Sequence, residues 1–133
     1  MDTQSDGIKL IDQAQAILDR DVETAYRAGD FNLTVRRAQE VVELSLKGGL
    51  KILGVDYPKI HDVAPVFSKN AKTKIEKENA AVLQRIEQIS KWLGLARAPS
   101  FYLEREYVEE DARKALKDSK FVLNSVREIC NLD

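Results

Sequence analysis

One cysteine, one histidine, one tryptophan and three prolines in 133 residues leave little material for several common kinds of protein. The lone Cys130 cannot close an internal disulfide, which excludes a disulfide-stapled scaffold. With one histidine and no second cysteine, only carboxylates remain as metal ligands, and they show no ligand spacing. No apolar run approaches the roughly 20 residues that span a bilayer. Asp2 and Asp6 stand where a secretory leader would carry basic residues, so the expectation is a cytoplasmic protein with no membrane association. Charge of one sign is missing too: 21 basic residues face 22 acidic ones, for a net charge of -1. A nonspecific nucleic-acid clamp needs a basic surplus to displace counterions, and the total offers none. No glycine loop suited to cradling phosphate is present, and no serine or cysteine nucleophile has an identifiable partner, so no cofactor is implied.

What is present is helical. A chain of 133 residues with only six glycines suits long helices with short breaks, and its length suits one domain. Ile11, Ala14, Leu18, Val22 and Ala25 recur at steps of three and four, lining one face of a first helix. Gly29 supplies a stop, and Asp30 or Asn32 can cap the next helix. That second helix, about 32–53, is apolar over a wide arc: Leu33, Val41, Val42, Leu44, Leu46, Leu50, Ile52 and Leu53. A wide arc implies several neighbours, so this helix belongs at the centre. Gly48 and Gly49 lie inside it, where each costs about 1 kcal/mol relative to alanine. Close approach of another helix accounts for them, with a backbone opening for a ligand as the sharper alternative.

The segment 55–74 breaks the pattern, with Pro58, Pro65 and a short helix expected near 62–68. Ile75, Asn79, Val82, Ile86, Ile89 and Leu93 then mark a third long helix, with Asn79 expected at its end, reaching water. Gly94 and the Ala98-Pro99 step predict its termination. Trp92 is expected at a helix end, covering the core. Val108, Ala112, Ala115, Ser119, Val122, Val126 and Ile129 predict a last helix over about 105–130. The expected architecture is all-α, an antiparallel up-and-down bundle of four to five helices.

The run Arg37-Ala38-Gln39-Glu40, then Glu43 and Lys47, Gly54-Val55 and His61-Asp62-Val63 resembles the HEPN family, the "higher eukaryotes and prokaryotes nucleotide-binding" domain. Arg97, the Phe101-Tyr102 pair and the final helix opening at Glu109-Glu110-Asp111-Ala112 resemble its C-terminal part, so the likeness covers roughly 30–130. The resemblance implies a bundle that is usually dimeric. It also implies a subunit paired with a minimal nucleotidyltransferase, as in toxin–antitoxin-type systems, and binding of nucleotide or RNA. Some members are metal-independent ribonucleases, marked by an arginine followed after four to six residues by a histidine. Here those places after Arg97 hold Tyr102, Leu103 and Glu104, and those before His61 hold Gly54, Val55 and Asp56. No correctly spaced pair exists, and moving a proton near neutral pH without metal is natural work for histidine. The sequence therefore points to a noncatalytic nucleotide- or partner-binding role. A ribonuclease with a nonstandard site built on His61 and Arg97 is the competing reading, and a purely structural helical module is the third.

The candidate binding residues are Arg37, Glu40, Glu43, Lys47, His61, Asp62, Arg97 and Tyr102, with no catalytic residue assigned. Arg37, Glu40, Glu43 and Lys47 form a charged track whose i, i+3 and i, i+4 spacings also suit an ordinary solvated face. Lys47 and Arg97 are the candidates for a phosphate, and Tyr102 offers a hydroxyl for recognition or modification. His61-Asp62 places an imidazole beside a carboxylate. The plainer reading is that Asp62 caps the following helix while His61 packs against the second. Lys69, Lys72, Lys74 and Lys77 could attract a phosphate backbone, although Glu76 and Glu78 partly offset them and a solvated loop explains them equally. Phe101, Tyr102 and Tyr107 could stack on a base, with core packing as the alternative for the phenylalanine.

Overall fold

The computed structural model describes residues 3–76 and 79–132, and every regular element among them is helical. Helix α1 (Thr3–Ile17) runs through a π-helical turn, Leu18–Val22, into α2 (Glu23–Arg27). Helix α3 spans Phe31–Ile52, and α4 (Ala64–Ala71) ends in a 3₁₀ turn at Lys72–Lys74. Helices α5 (Ala80–Phe101) and α6 (Glu109–Ile129) complete the chain. Contacts between ends fix the directions. Glu23 meets Lys120 while Gln15 meets Arg127, and Gln39 meets Arg97 while Asn32 meets Ser100. Neighbouring long helices therefore alternate in direction, as an up-and-down bundle requires.

The expected first face, Ile11, Ala14, Leu18, Val22 and Ala25, is buried throughout, and the π turn keeps Leu18 and Val22 on the core side. Asp30 caps α3 by accepting from the Leu33 N–H at 3.2 Å. Helix α3 is central, packing on α1, α5 and α6. Its most buried apolar side chains are Val35, Ala38, Val41, Val42, Leu46 and Leu50, whereas Leu33, Leu44, Ile52 and Leu53 lie half-buried at the margin of the arc. It stops at Leu53-Gly54, where Gly54 takes φ +80°.

The interior glycines serve close approach. A Cβ on Gly48 would stand 2.8 Å from the Gly7 carbonyl oxygen, and one on Gly7 would stand 2.7 Å from that of Gly48. Helices α1 and α3 thus touch backbone to backbone. Gly49 does the same for side chains, since a Cβ there would meet Phe67 at 2.8 Å and Val126 at 2.9 Å.

Four sequence expectations need correction. Gly94 and Pro99 do not end α5, which continues to Phe101. A proline removes one N–H and crowds the carbonyl four residues back. Here that carbonyl belongs to Leu95, an exposed residue, and only two helical residues follow the proline. Ile75 precedes α5 rather than opening it, while Asn79 occupies the exposed N-cap position. Trp92 lies mid-helix, donating through Nε1 to the buried Asp118 carboxylate at 2.9 Å, so it ties α5 to α6. The Lys114 ammonium covers its ring at 4.3 Å and also bonds Asp118 at 3.0 Å. The last helix begins at Glu109, where the family resemblance opens it and later than the 105 read from periodicity, with Asp111 accepting the Val108 N–H at 3.0 Å.

Asn32 staples the α5–α6 connection. Its amide donates to the carbonyls of Arg105 at 2.8 Å and Ser100 at 3.3 Å, and its oxygen accepts from the Tyr107 N–H at 2.8 Å.

Alanine at Gly7 or Gly48 should destabilise the bundle by about 2–3 kcal/mol in urea denaturation, because the blocking atom is backbone and cannot rotate away. Alanine at Gly94, where a Cβ meets nothing within 4 Å, should instead stabilise it by up to about 1 kcal/mol. Burial pushes the Cys130 thiol up to about 11, so its reaction with a disulfide reagent at pH 8 should be slow until the chain is denatured.

Candidate functional site

The polar residues that interrupt the apolar arc of α3 converge on one carboxylate. Glu43 Oε2 accepts from Lys47 Nζ at 2.7 Å, and Oε1 accepts from Gln39 Nε2 at 2.9 Å. His61 Nδ1 lies 2.9 Å from the same Oε1, reaching back from the α3–α4 connection. Arg97 of α5 stands 3.7 Å from it and donates to Gln39 Oε1 at 2.7 Å. The Glu43 and Lys47 side chains are only 15% and 14% exposed, so this is a largely desolvated pair. Burial pushes the Glu43 carboxyl up, but hydrogen bonds from Lys47, Gln39 and His61 outweigh it and hold the group below its ordinary value. An ionised carboxylate only accepts, so His61 Nδ1 carries the proton in this contact.

One turn toward the N-terminus of α3 the arrangement changes. Arg36, Arg37 and Glu40 line a cleft of about 260 Å³ together with Arg97 and Phe101 of α5. Arg37 bonds Glu40 at 2.7 Å and lies 3.8 Å from Asp21, on the π turn between α1 and α2. The Arg36 guanidinium lies 5.1 Å from the centre of the Phe101 ring, a cation–π distance. Phe101 stacks on Tyr102 with centroids 4.9 Å apart and planes 12° from parallel, and both rings are exposed. The core alternative for Phe101 therefore gives way, and Tyr107 takes the buried place instead.

Of the sequence-selected residues, Glu43, Lys47, His61 and Arg97 form one network, and Arg37, Glu40 and Arg97 share the cleft. Tyr102 joins through its stack on Phe101. Lys47 does not line the cleft; its ammonium is engaged by Glu43 and lies 5.2 Å from the Tyr57 ring. His61 and Asp62 part company. Asp62 accepts from Ser90 Oγ at 2.6 Å and from the Ala64 N–H at 3.2 Å, fastening the start of α4 to α5. Lys69, Lys72 and Lys74 are exposed, while Lys77 and Glu78 lie outside the described residues. Among the described residues, no group of three or more His, Cys, Asp or Glu side chains could hold a metal ion, and no helix is long and apolar enough to cross a membrane.

Sequence reasoning left two participants, Gln39 and Arg36, out of the candidate set. Gln39 is buried and bridges Glu43 to Arg97; the available signal was a carboxamide on the core arc beside Ala38, which demands partners. Arg36 and Phe101 meet across two helices, and nothing local announces that contact.

Fold and site together define an all-α bundle with a charged seam between its central helix and α5. The HEPN domain model matches residues 8–129, and the chain belongs to the HEPN family. In fold it is similar to ST0689, an archaeal HEPN homologue, with a TM-score of 0.67 at 22% identity over 93% of this chain and 97% of that one. It is likewise similar to TT1696 from Thermus thermophilus, with a TM-score of 0.70 at 17% identity over 97% and 99% of the two chains. No curated protein matches the chain.

Glu43→Gln should destabilise the protein by about 1–3 kcal/mol at neutral pH, because it leaves Lys47 desolvated without its counter-charge. The folded carboxyl lies below its unfolded value of about 4.3, so this contribution is present above that pH and fades as pH falls through the folded value. Denaturation of the parent and Glu43→Gln proteins across pH 2–8 should show a constant gap at the upper end that narrows in acid; a gap unchanged in acid would contradict the network.

Proposed function

We propose that this HEPN protein is a noncatalytic nucleotide-binding or partner-binding subunit that works as a homodimer with a minimal nucleotidyltransferase, in a toxin–antitoxin-type pair in the cytoplasm. The observation that carries the nucleotide half is the cleft itself: three guanidinium groups face one carboxylate beside an exposed stacked aromatic pair. Guanidinium groups suit phosphate through paired N–H donors, and exposed rings suit a base face. A cleft of about 260 Å³ falls just below the roughly 300–1,000 Å³ of ordinary ligand pockets, which suits phosphates seated inside with the base lying outside on Phe101 and Tyr102. Arg36, Arg37 and Arg97 are the binding groups in this reading. Glu43, Gln39 and Lys47 position Arg97, and Glu40 orients Arg37. The partner half rests on the family resemblance. The exposed Leu95, Tyr102 and Leu103, at 71%, 71% and 76%, give the end of α5 an apolar surface suited to a second chain.

A second reading has its own support. His61 and Arg97 approach the same Glu43 oxygen, and a carboxylate that orients a histidine by its Nδ1–H resembles the base–orienter arrangement of acid–base catalysts. It makes the protein a metal-independent ribonuclease with a nonstandard site.

Calorimetric titration with nucleoside triphosphates should give saturable binding that weakens with salt, and Arg36→Ala or Arg97→Ala should each weaken it about tenfold, as expected for a charged hydrogen-bond donor. No heat with any nucleotide, together with no nucleotidyltransferase in a pull-down, would remove the subunit reading. Cleavage of RNA by the pure protein, lost in His61→Ala, would favour the second one.

A further inference from the structure

A second cavity, of about 560 Å³, lies between the start of α5 and the C-terminal part of α6. That exceeds the cleft at Arg97 and falls within the usual range of roughly 300–1,000 Å³ for small-molecule sites. Val82 of this cavity and Arg97 of the other are fifteen residues apart on α5, so the two sites are separated by about 22 Å along the helix axis.

The lining has a consistent chemistry. Ile75, Val82, Phe121 and Ile129 are partly buried against the core and provide apolar walls. Arg85 lies 4.2 Å from the centre of the Phe121 ring, which still contributes to the cavity. Three carboxamides, Asn79, Asn124 and Asn131, stand at the same cavity, and none has a side-chain hydrogen bond among the described residues. Each offers two donors and an acceptor. Among the described residues the charges oppose an anion: the lining holds one cation, Lys74, against two carboxylates, Glu76 and Glu128. A purely apolar ligand would strip water from the carboxamides without replacing it. What fits is flat, uncharged and edged with alternating donors and acceptors.

We propose that this cavity is a second binding site, for a neutral planar ligand of the nucleobase or nucleoside class. The apolar walls and Phe121 take the ring, and the carboxamides of Asn79, Asn124 and Asn131 take its edge. Adding a phosphate brings negative charge toward Glu76 and Glu128, so the site discriminates against nucleotides, opposite to the preference proposed for the cleft at Arg97.

The test is a titration of the full chain with adenosine, guanosine, cytidine and uridine, followed by amide chemical shifts, with the 5′-monophosphates run in parallel. At least one nucleoside should bind saturably, with shifts centred on residues 121–131, and more tightly than its monophosphate. Asn124 is exposed, so Asn124→Ala should leave stability unchanged while weakening binding about tenfold, the effect of removing one well-placed hydrogen-bonding group. Asn131 sits at φ +58°, where glycine is at ease, so Asn131→Gly should weaken binding with no loss of stability. The proposal is overturned if no nucleoside saturates at millimolar concentration, or if binding survives both variants. It is equally overturned if Arg97→Ala abolishes nucleoside binding while Asn124→Ala does not, since the ligand would then occupy the other cleft.

Discussion

The contact between Gly7 and Gly48 sets the rest of the molecule in place, because each glycine's carbonyl oxygen occupies the space that the other's side chain would need. Backbones that approach this closely hold α1 against α3 along a length that side-chain packing alone would leave wider. With α1 pressed on one side and Phe67 and Val126 filling the notch at Gly49, α3 is enclosed by its neighbours. The charged residues around Glu43 are thereby confined to the seam with α5 and the α3–α4 connection.

That confinement explains why Glu43 gathers so many donors. A carboxylate on a largely buried stretch of helix remains ionised only if its lost hydration is replaced, and Lys47, Gln39 and His61 replace it. The same network has a mechanical consequence. Through His61 it holds the connection that follows α3, and through Gln39 it fixes Arg97 at the mouth of the cleft. Arg36, free of that network, pairs with the face of Phe101 instead. In the proposed reading, structural and binding roles divide along α3, with Glu43 and Lys47 toward the interior and Arg36 and Arg37 toward the cleft.

Much of the fold was legible because it depends on periodicity. Ile11 through Ala25, and Ala112 through Val126, announced their buried faces by three-four spacing, and those faces are buried. Failures came where a local rule met a permissive environment. Gly94 and Pro99 read as a stop, yet Gly94 keeps a helical backbone and the carbonyl crowded by Pro99 belongs to an exposed residue near a helix end. His61 and Asp62, by contrast, followed the plainer reading of the sequence, with Asp62 at the start of α4 and His61 against α3. Adjacent residues on this connection point apart, so one side chain reached α3 and the other reached Ser90 on α5.

The sequence by itself determined the helical class, the central place of α3 and the family, since these follow from composition, spacing and a signature spread along the chain. Which charges share a site was decided only in three dimensions. Gln39 and Arg97 are 58 positions apart, and Arg36 meets Phe101 only because α3 and α5 run antiparallel at a fixed register. Helical periodicity states which face a residue occupies. It carries no information about the height at which two faces meet, and that height is set by close packing such as the glycine contact between α1 and α3.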